Sequence, residues 1–208
     1  MSSYRTKKKR RRAKIQRWKK RWKKQFQRTE LMKMIGELEH ASILSNYADV
    51  IRTEYTLKDK EGFRWVHDPL EGIDSLPQKF QNPEFKEDDI ALPPKDASKE
   101  AIEEFINSDY FTLSHFETTE QAESAYWKAL KGRLDKVKET RRKRIIEKFK
   151  ARKGSYIQKV HYRYGDALIG KTNENGHFNI LPRRGLTIND VIDLSYKPQE
   201  IVVKYEET

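Results

Sequence analysis

The charge of this chain is laid down in blocks, and the blocks decide which segments can enter a core. Residues 1–28 contain 15 Lys and Arg and no acidic residue, and residues 37–120 contain 8 basic against 20 acidic residues. Residues 121–165 return to 15 basic against 4 acidic, and residues 166–208 hold 5 against 7. Like charges at this density repel one another and stay in water or against a counter-charged partner. The net charge of +12 is thus the remainder of two cationic segments set apart by an acidic one that cannot neutralise both. Charged residues make up 37% and hydrophobic residues 36%, against roughly 25% charged in an ordinary soluble domain. A core of useful size therefore requires that part of the chain stay outside it.

Hydrophobic spacing divides the chain into five stretches and points to an α+β fold. In residues 1–28, Lys7 to Phe26 has no Gly or Pro, and Ile15, Trp18, Trp22 and Phe26 recur at helical intervals. This predicts a basic helical arm. Residues 29–65 read as a helical segment. Its stripe of Leu31, Met34, Ile35, Leu38, Leu44, Tyr47 and Ile51 begins on nearly the opposite face, at about 100° per residue. The change of face predicts a restart at Arg28–Thr29, with Thr29 as N-cap, and a helix from about Glu30 to Thr53.

Residues 66–97 form an acidic, proline-rich linker. Pro69, Pro77, Pro83, Pro93 and Pro94 exclude a long helix or a central strand, while Phe80, Phe85, Ile90 and Leu92 predict that it drapes over a surface. Residues 98–153 read as a helical body. A short helix spans Ser98 to Asn107, with Ala101, Ile102, Phe105 and Ile106 inward. A long basic helix follows, capped by Thr118 and Gln121 and striped by Ala122, Tyr126, Leu130, Leu134, Val137, Ile145 and Phe149 as far as Gly154. Residues 154–208 alternate instead, and predict a small mixed α/β module packed on the long helix. Its parts are a strand over 156–164, two strands joined at Asn175-Gly176, a short helix opening at Thr187, and a closing strand at Glu200–Tyr205.

The arm carries the sharpest chemistry. Neutralising nucleic-acid phosphates releases counterions and drives binding whatever the base sequence. Lys7, Lys8, Lys9, Arg10, Arg11 and Arg12, followed by Lys14, Arg17, Lys20, Arg21 and Lys24, are the candidate phosphate contacts. Arginine adds forked donors for phosphates and guanine edges. Trp18 and Trp22 supply stacking surface of the kind used on unpaired bases. Arg141, Arg142, Arg144, Lys148 and Arg152, on one half of the long helix, are a second candidate surface, and Arg183-Arg184 a weaker addition to it. Other uses of the arm stay open: 7–12 is composed like a nuclear import signal, and the aromatic stripe would also suit a protein groove. The stripe is narrow for a membrane surface, and no membrane partner is expected.

The run Arg10-Arg11-Arg12-Ala13-Lys14-Ile15-Gln16-Arg17-Trp18 resembles the arginine-rich RNA-binding peptide of lambdoid phage antitermination N proteins, where an arginine cluster precedes a tryptophan. The resemblance covers about a dozen of the 208 residues. It implies a helix that folds into an RNA hairpin. Nothing downstream resembles the rest of such a protein, so antitermination itself does not carry over.

Several function classes are excluded or unsupported. The absence of cysteine excludes disulfides, cysteine-ligated zinc, iron–sulfur clusters and a thiol nucleophile. No phosphate-cradling glycine loop, nucleophile elbow or His-x-x-x-His pair occurs, and no stretch reaches the roughly 18 apolar residues of a membrane span. The histidines at 40, 67, 115, 161 and 177 are scattered. His67-Asp68 and Glu87-Asp88-Asp89 read as solvated charge and not as metal ligands. No catalytic residue, cofactor or metal is therefore expected. The expected function is non-enzymatic binding of RNA or DNA, in the cytoplasm or inside a virion, or in a nucleus if the source is eukaryotic. The alternative is a component or inhibitor of a larger nucleoprotein machine, such as a phage or mobile-element protein acting on an RNA-guided nuclease or a virion protein near packaged DNA.

Overall fold

In the computed structural model residues 2–203 are described, with side chains from residue 13 onward. Helix α1 runs from Ser2 to Glu37 without interruption. The expected restart at Thr29 is absent: the Thr29 hydroxyl donates to the Gln25 carbonyl one turn earlier (3.1 Å), as a residue inside a helix can. Nothing in this stretch breaks a helix, since its residues are mostly good helix formers and the first glycine is Gly36. The change of apolar face instead marks where the helix leaves the body. Leu31, Met34, Ile35 and Leu38 are buried, whereas Ile15, Trp18, Trp22 and Phe26 are exposed.

The second half of the expected Glu30–Thr53 helix is broken at Leu38–His40. His40 takes a left-handed φ of 59°, and the Glu39 amide donates to the Pro182 carbonyl (3.0 Å) while Glu37 accepts from the Arg184 amide (2.9 Å). Tertiary pairing with another part of the chain has overridden local helix propensity. Two short helices follow, α2 (Ala41–Leu44) and α3 (Ala48–Glu54).

Residues 55–65, expected to be helical, enter a sheet as strands β1 (Tyr55–Thr56) and β2 (Lys60–Val66). In β2, Phe63 and Trp65 alternate with Gly62, Arg64 and Val66, the period of a strand. The acidic segment then lies against the body as expected, with Ile90 buried and Phe80 and Phe85 packed on a hydrophobic cluster; Leu92, also expected inward, is exposed. Helix α4 (Lys99–Ile106) is capped by Ser98, whose hydroxyl accepts from the Ala101 amide. It buries Phe105 and Ile106 and leaves Ala101 at the surface. Strand β3 (Leu113–Phe116) had no sequence signal strong enough to read.

The expected long helix is folded in two. Helix α5 (Thr119–Leu134) starts at the anticipated Thr118–Gln121 capping box, and α6 (Arg142–Lys153) returns after a turn. The hydrophobic stripe lapses from Lys138 to Arg144, seven polar residues, so no apolar face holds the helix together there. Folding back brings Tyr126 of α5 against Phe149 of α6, ring centroids 4.9 Å apart, and sets Arg133 over the Phe149 ring. The Tyr126 hydroxyl donates to the Gly154 carbonyl (3.2 Å).

Strands β4 (Tyr156–Tyr162), β5 (Ala167–Gly170) and β6 (His177–Pro182), helix α7 (Ile188–Val191) and strand β7 (Gln199–Glu200) complete the fold. The closing strand is shorter than expected, and Tyr205 lies outside the described residues. Asn173–Gly176 turns between β5 and β6, with Gly176 at φ 69°. The boundary expected at residue 154 does not separate two sheets. Among the described residues the seven strands form one antiparallel sheet in the order β1-β5-β6-β3-β2-β4-β7. The α+β class holds.

Register and side-chain alternation assign the two faces of the sheet. Leu168 and Leu181 lie on one face at the β5–β6 end, under α1 to α4. Phe63, Trp65, Phe116 and Ile157 lie on the same face at the β2–β4 end, under the α5–α6 hairpin. The opposite face carries Val66, Val160, Ile169, Phe178 and Ile180, covered by Ile188 and Val191 of α7. The two helical groups thus stand on one face at different ends, with strands β6 and β3 between them.

Truncating a fully buried anchor separates body from arm. Ile35→Ala or Leu130→Ala should cost about 2–5 kcal/mol in urea denaturation, whereas Trp18→Ala should stay within about 0.5 kcal/mol of the parent. Gly154→Ala should also destabilise strongly, because φ is +73° and a Cβ would stand 2.0 Å from the Val66 carbonyl oxygen.

Candidate nucleic-acid interface

The arm projects its charge into solvent for a simple reason: its own stripe has no partner in the body. Lys14, Arg17, Lys20, Arg21 and Lys24 are exposed on α1. Trp18 and Trp22 are 64% and 58% exposed, large values for residues that normally bury most of their area. Trp22 stacks on Phe26 with centroids 5.6 Å apart, one helical turn on. The side chains of Lys7, Lys8, Lys9, Arg10, Arg11 and Arg12 lie outside the described residues. Among the described residues, no ion pair joins residues 13–28 to the acidic segment. The acidic segment therefore does not neutralise this part of the arm.

The second basic surface is divided by burial. Arg141, Arg144, Lys148 and Arg152 are exposed, and their spacing of three, four and four places them along one stripe of the helix and its leading turn. Arg142 does not join them. It is half-buried, and its Nε is buried without a hydrogen-bond partner among the described residues. The reason is rotational: Arg142 shares the α6 face of Ile146, Phe149 and Lys153, which turns toward the body. Arg183 and Arg184 lie at the bridge between β6 and the end of α1, on the α1 side of the sheet and not beside α6. The two exposed basic stripes are held by different hydrophobic clusters, α1 by the cluster on Leu168 and Leu181 and α6 by the cluster on Trp65 and Ile157.

Four ionisable groups, His115, Tyr162, Lys153 and His67, are buried or partly buried in ways the sequence did not show. His115 is fully buried; its Nδ1 donates to the Leu113 carbonyl (3.0 Å), which leaves Nε2 to accept from the Tyr162 hydroxyl (2.9 Å). Burial, and then the nearby Arg64 charge, hold its pKa well below the ordinary range, so the ring is neutral. Burial pushes Tyr162 up to about 12. Lys153, at the end of α6, is pulled down to about 8, first by burial and further by Arg152, Arg133 and Arg64, against the opposing pull of Asp109. His67 is held by the buried Asp74 carboxylate (2.9 Å) and the Ala151 carbonyl. Burial works against its charge, but these partners outweigh it and its pKa is raised. Alternating patterns around Arg64 and His115 could have flagged them only if β2 and β3 had been recognised as strands.

No group of three or more His, Asp or Glu side chains is placed to hold a metal among the described residues. No helix is long and apolar enough to cross a membrane among the residues described. No protein-family model, no curated protein and no solved structure matches the chain.

The depressed Lys153 has a definite sign in stability. Below about pH 8 the fold carries the full cost of its buried charge; as pH rises from about 8 toward 10.5 the folded state gives up the proton before the unfolded state, and that cost is relieved. Lys153→Met removes this term. Urea midpoints of parent and variant across this window should therefore move in the parent's favour as pH rises, and parallel curves would count against the assignment.

Proposed function

We propose that this protein binds nucleic acid without catalysing a reaction on it, using the α1 arm as its main contact and the exposed stripe of α6 as a second. The observation that carries this reading is the arm itself. An arm whose described cations, Lys14 to Arg28, form no ion pair among the described residues presents two tryptophans to solvent, and these features together match a charged backbone with stackable bases. Lys14, Arg17, Lys20, Arg21 and Lys24, with the six cations of 7–12, neutralise phosphates, while Trp18 and Trp22 stack or wedge. RNA is the favoured target, because the run Arg10–Trp18 resembles arginine-rich RNA-binding peptides and stacking favours unpaired bases. Arg141, Arg144, Lys148 and Arg152 add an electrostatic contact.

One observation favours a second reading. Ile15, Trp18, Trp22 and Phe26 form a continuous exposed stripe, and such a stripe also fits a groove on a protein. In that case the chain is a component or inhibitor of a nucleoprotein machine, held chiefly by protein contacts.

Removing residues 1–28 should abolish most nucleic-acid affinity and flatten its dependence on salt. With six to eight phosphate contacts, log K against log salt on duplex DNA should slope at about −5 to −7 in the parent. A truncated chain with unchanged affinity and slope would overturn the proposal. Trp18→Ala combined with Trp22→Ala should weaken looped RNA more than duplex; equal losses would leave charge alone as the mode of binding. Pull-down with and without nuclease separates the two readings, since partners held by protein contacts survive digestion.

A further inference from the structure

Strand β2 pairs with β4 over seven residues, and β3 pairs with β6 over four, but β2 and β3 share only the Phe63–Phe116 pair. Beyond that pair the two strands part, and a cleft of about 190 Å³ opens between them. Arg64 and Trp65 line one wall, Leu113 and Ser114 the other. Gln78 and Gln81 of the acidic segment, Asp109, and Arg152 and Lys153 at the end of α6 close over it.

The polar groups of this cleft are not matched to one another. Arg64 is 7% exposed, it forms no ion pair among the described residues, and its Nε and Nη1 are buried with no hydrogen-bond partner among them. A guanidinium is always charged, and burying one without a counter-charge is costly. On its far side the guanidinium meets the Tyr162 hydroxyl but no counter-charge, since Tyr162 is protonated and His115 neutral. Asp74 is already engaged by His67 and by the Glu71 amide. Lys153 donates to Gln78 Oε1 and feels Asp109, while the Gln81 Oε1 acceptor has no donor among the described residues. His177, also on the wall, is kept toward its neutral form by burial. Arg64, Arg152 and Lys153 thus face Asp109 and an occupied Asp74. The cleft holds an excess of positive charge, two unused donor nitrogens on one buried guanidinium, and one unused acceptor.

We propose that this cleft binds a phosphate monoester or inorganic phosphate, with the buried Arg64 guanidinium donating to one of its oxygens and Lys153 supplying the second cation. A guanidinium and an ammonium form charge-assisted hydrogen bonds to different oxygens of one oxyanion, and the proton that inorganic phosphate keeps near neutrality can be donated to Gln81 Oε1. Sulfate, which carries no proton near neutrality, accepts from Arg64 and Lys153 but has nothing to donate to Gln81. The site is separate from the exposed arm of α1 and meets the α6 stripe only at Arg152, and its central residue lies inside the sheet.

The test uses the full chain at constant ionic strength, with chloride replacing each ligand. Inorganic phosphate, sulfate, a nucleoside monophosphate, and an oligonucleotide with either a 5′-phosphate or a 5′-hydroxyl are titrated calorimetrically. Phosphate should bind more tightly than sulfate. Arg64→Met should weaken it at least tenfold while leaving the free protein no less stable, since an uncompensated charge is gone. Lys153→Met should weaken it several-fold, and Arg64→Lys should restore part of the loss seen in Arg64→Met. Lys136→Ala, an exposed cation elsewhere, should change nothing. At pH 8 the parent should take up protons on binding, seen as heat that depends on the buffer, because the anion raises Lys153; this uptake should vanish in Lys153→Met. Preference for the nucleotide and the 5′-phosphorylated strand would identify the source as a nucleotide end, whereas inorganic phosphate binding as tightly as either would identify the free ion. Failure of every phosphate species to bind, or binding equal in parent and Arg64→Met, would overturn the proposal. If Arg64→Met does not fold, the same comparison rests on Arg64→Lys and Lys153→Met. None of these outcomes depends on residues 1–28, so the arm reading stands or falls separately.

Discussion

The pairing of Lys60–Val66 with Tyr156–Tyr162 is the contact on which the rest of the architecture hangs. It joins residues about a hundred positions apart, so the chain between them must leave the sheet and return. The acidic segment, α4, β3 and the α5–α6 hairpin are all contained in that excursion. Because β2 and β4 carry aromatic or aliphatic residues on both faces, each face demands its own cover: the hairpin on one, α7 on the other. The Trp65 indole ties the first of these to the sheet by donating to the Ala122 carbonyl (2.8 Å), and Gly154 lets α6 end hard against Val66.

Charge then decides which ends of the helices can be used. Both cationic helices bury only the parts that are not crowded with like charge. Helix α1 enters the body with its last two turns, Leu31 to Leu38, and α6 enters through Phe149 and Ile146. Most of their other described cations, Arg142 and Lys153 excepted, stay in water, where solvent screens the repulsion between neighbours. The acidic segment packs on the body through Phe80, Phe85 and Ile90 and engages His40 and Ser42 through Glu87, not through the described part of the arm. Segregation of charge along the sequence thus becomes segregation in space, and the exposed cationic stripes follow from it.

Much of this was legible before any coordinates. Helical periods placed the basic arm of α1, the helix α4 and the start of α5, and the cap at Thr118 lies where the side-chain chemistry put it. The turn at Asn173–Gly176 and the opening of α7 at Thr187 were equally readable, because each rests on residues within a few positions of one another. The exposure of Trp18 and Trp22 followed from the same logic, since their stripe and that of Leu31–Leu38 cannot face one core. Strands β2 and β3 were not legible. Gly62 and Arg64 interrupt the apolar alternation of β2, and β3 is four residues long; each becomes a strand through partners distant in sequence.

The sequence by itself determined the local periods, the caps and turns, and the uneven placement of charge that keeps the arm out of the core. These depend on neighbours along the chain and on the cost of desolvating like charges. Tertiary structure alone decided that α1 ends at Glu37 to pair with Pro182 and Arg184, that the basic helix folds back on itself between Leu134 and Arg142, and that Arg142 turns inward. It also decided that Arg64, His115, Tyr162 and Lys153 meet around one gap in a sheet. Backbone hydrogen bonds between distant strands set those positions, and no pattern within a single segment encodes which distant strand will be the partner.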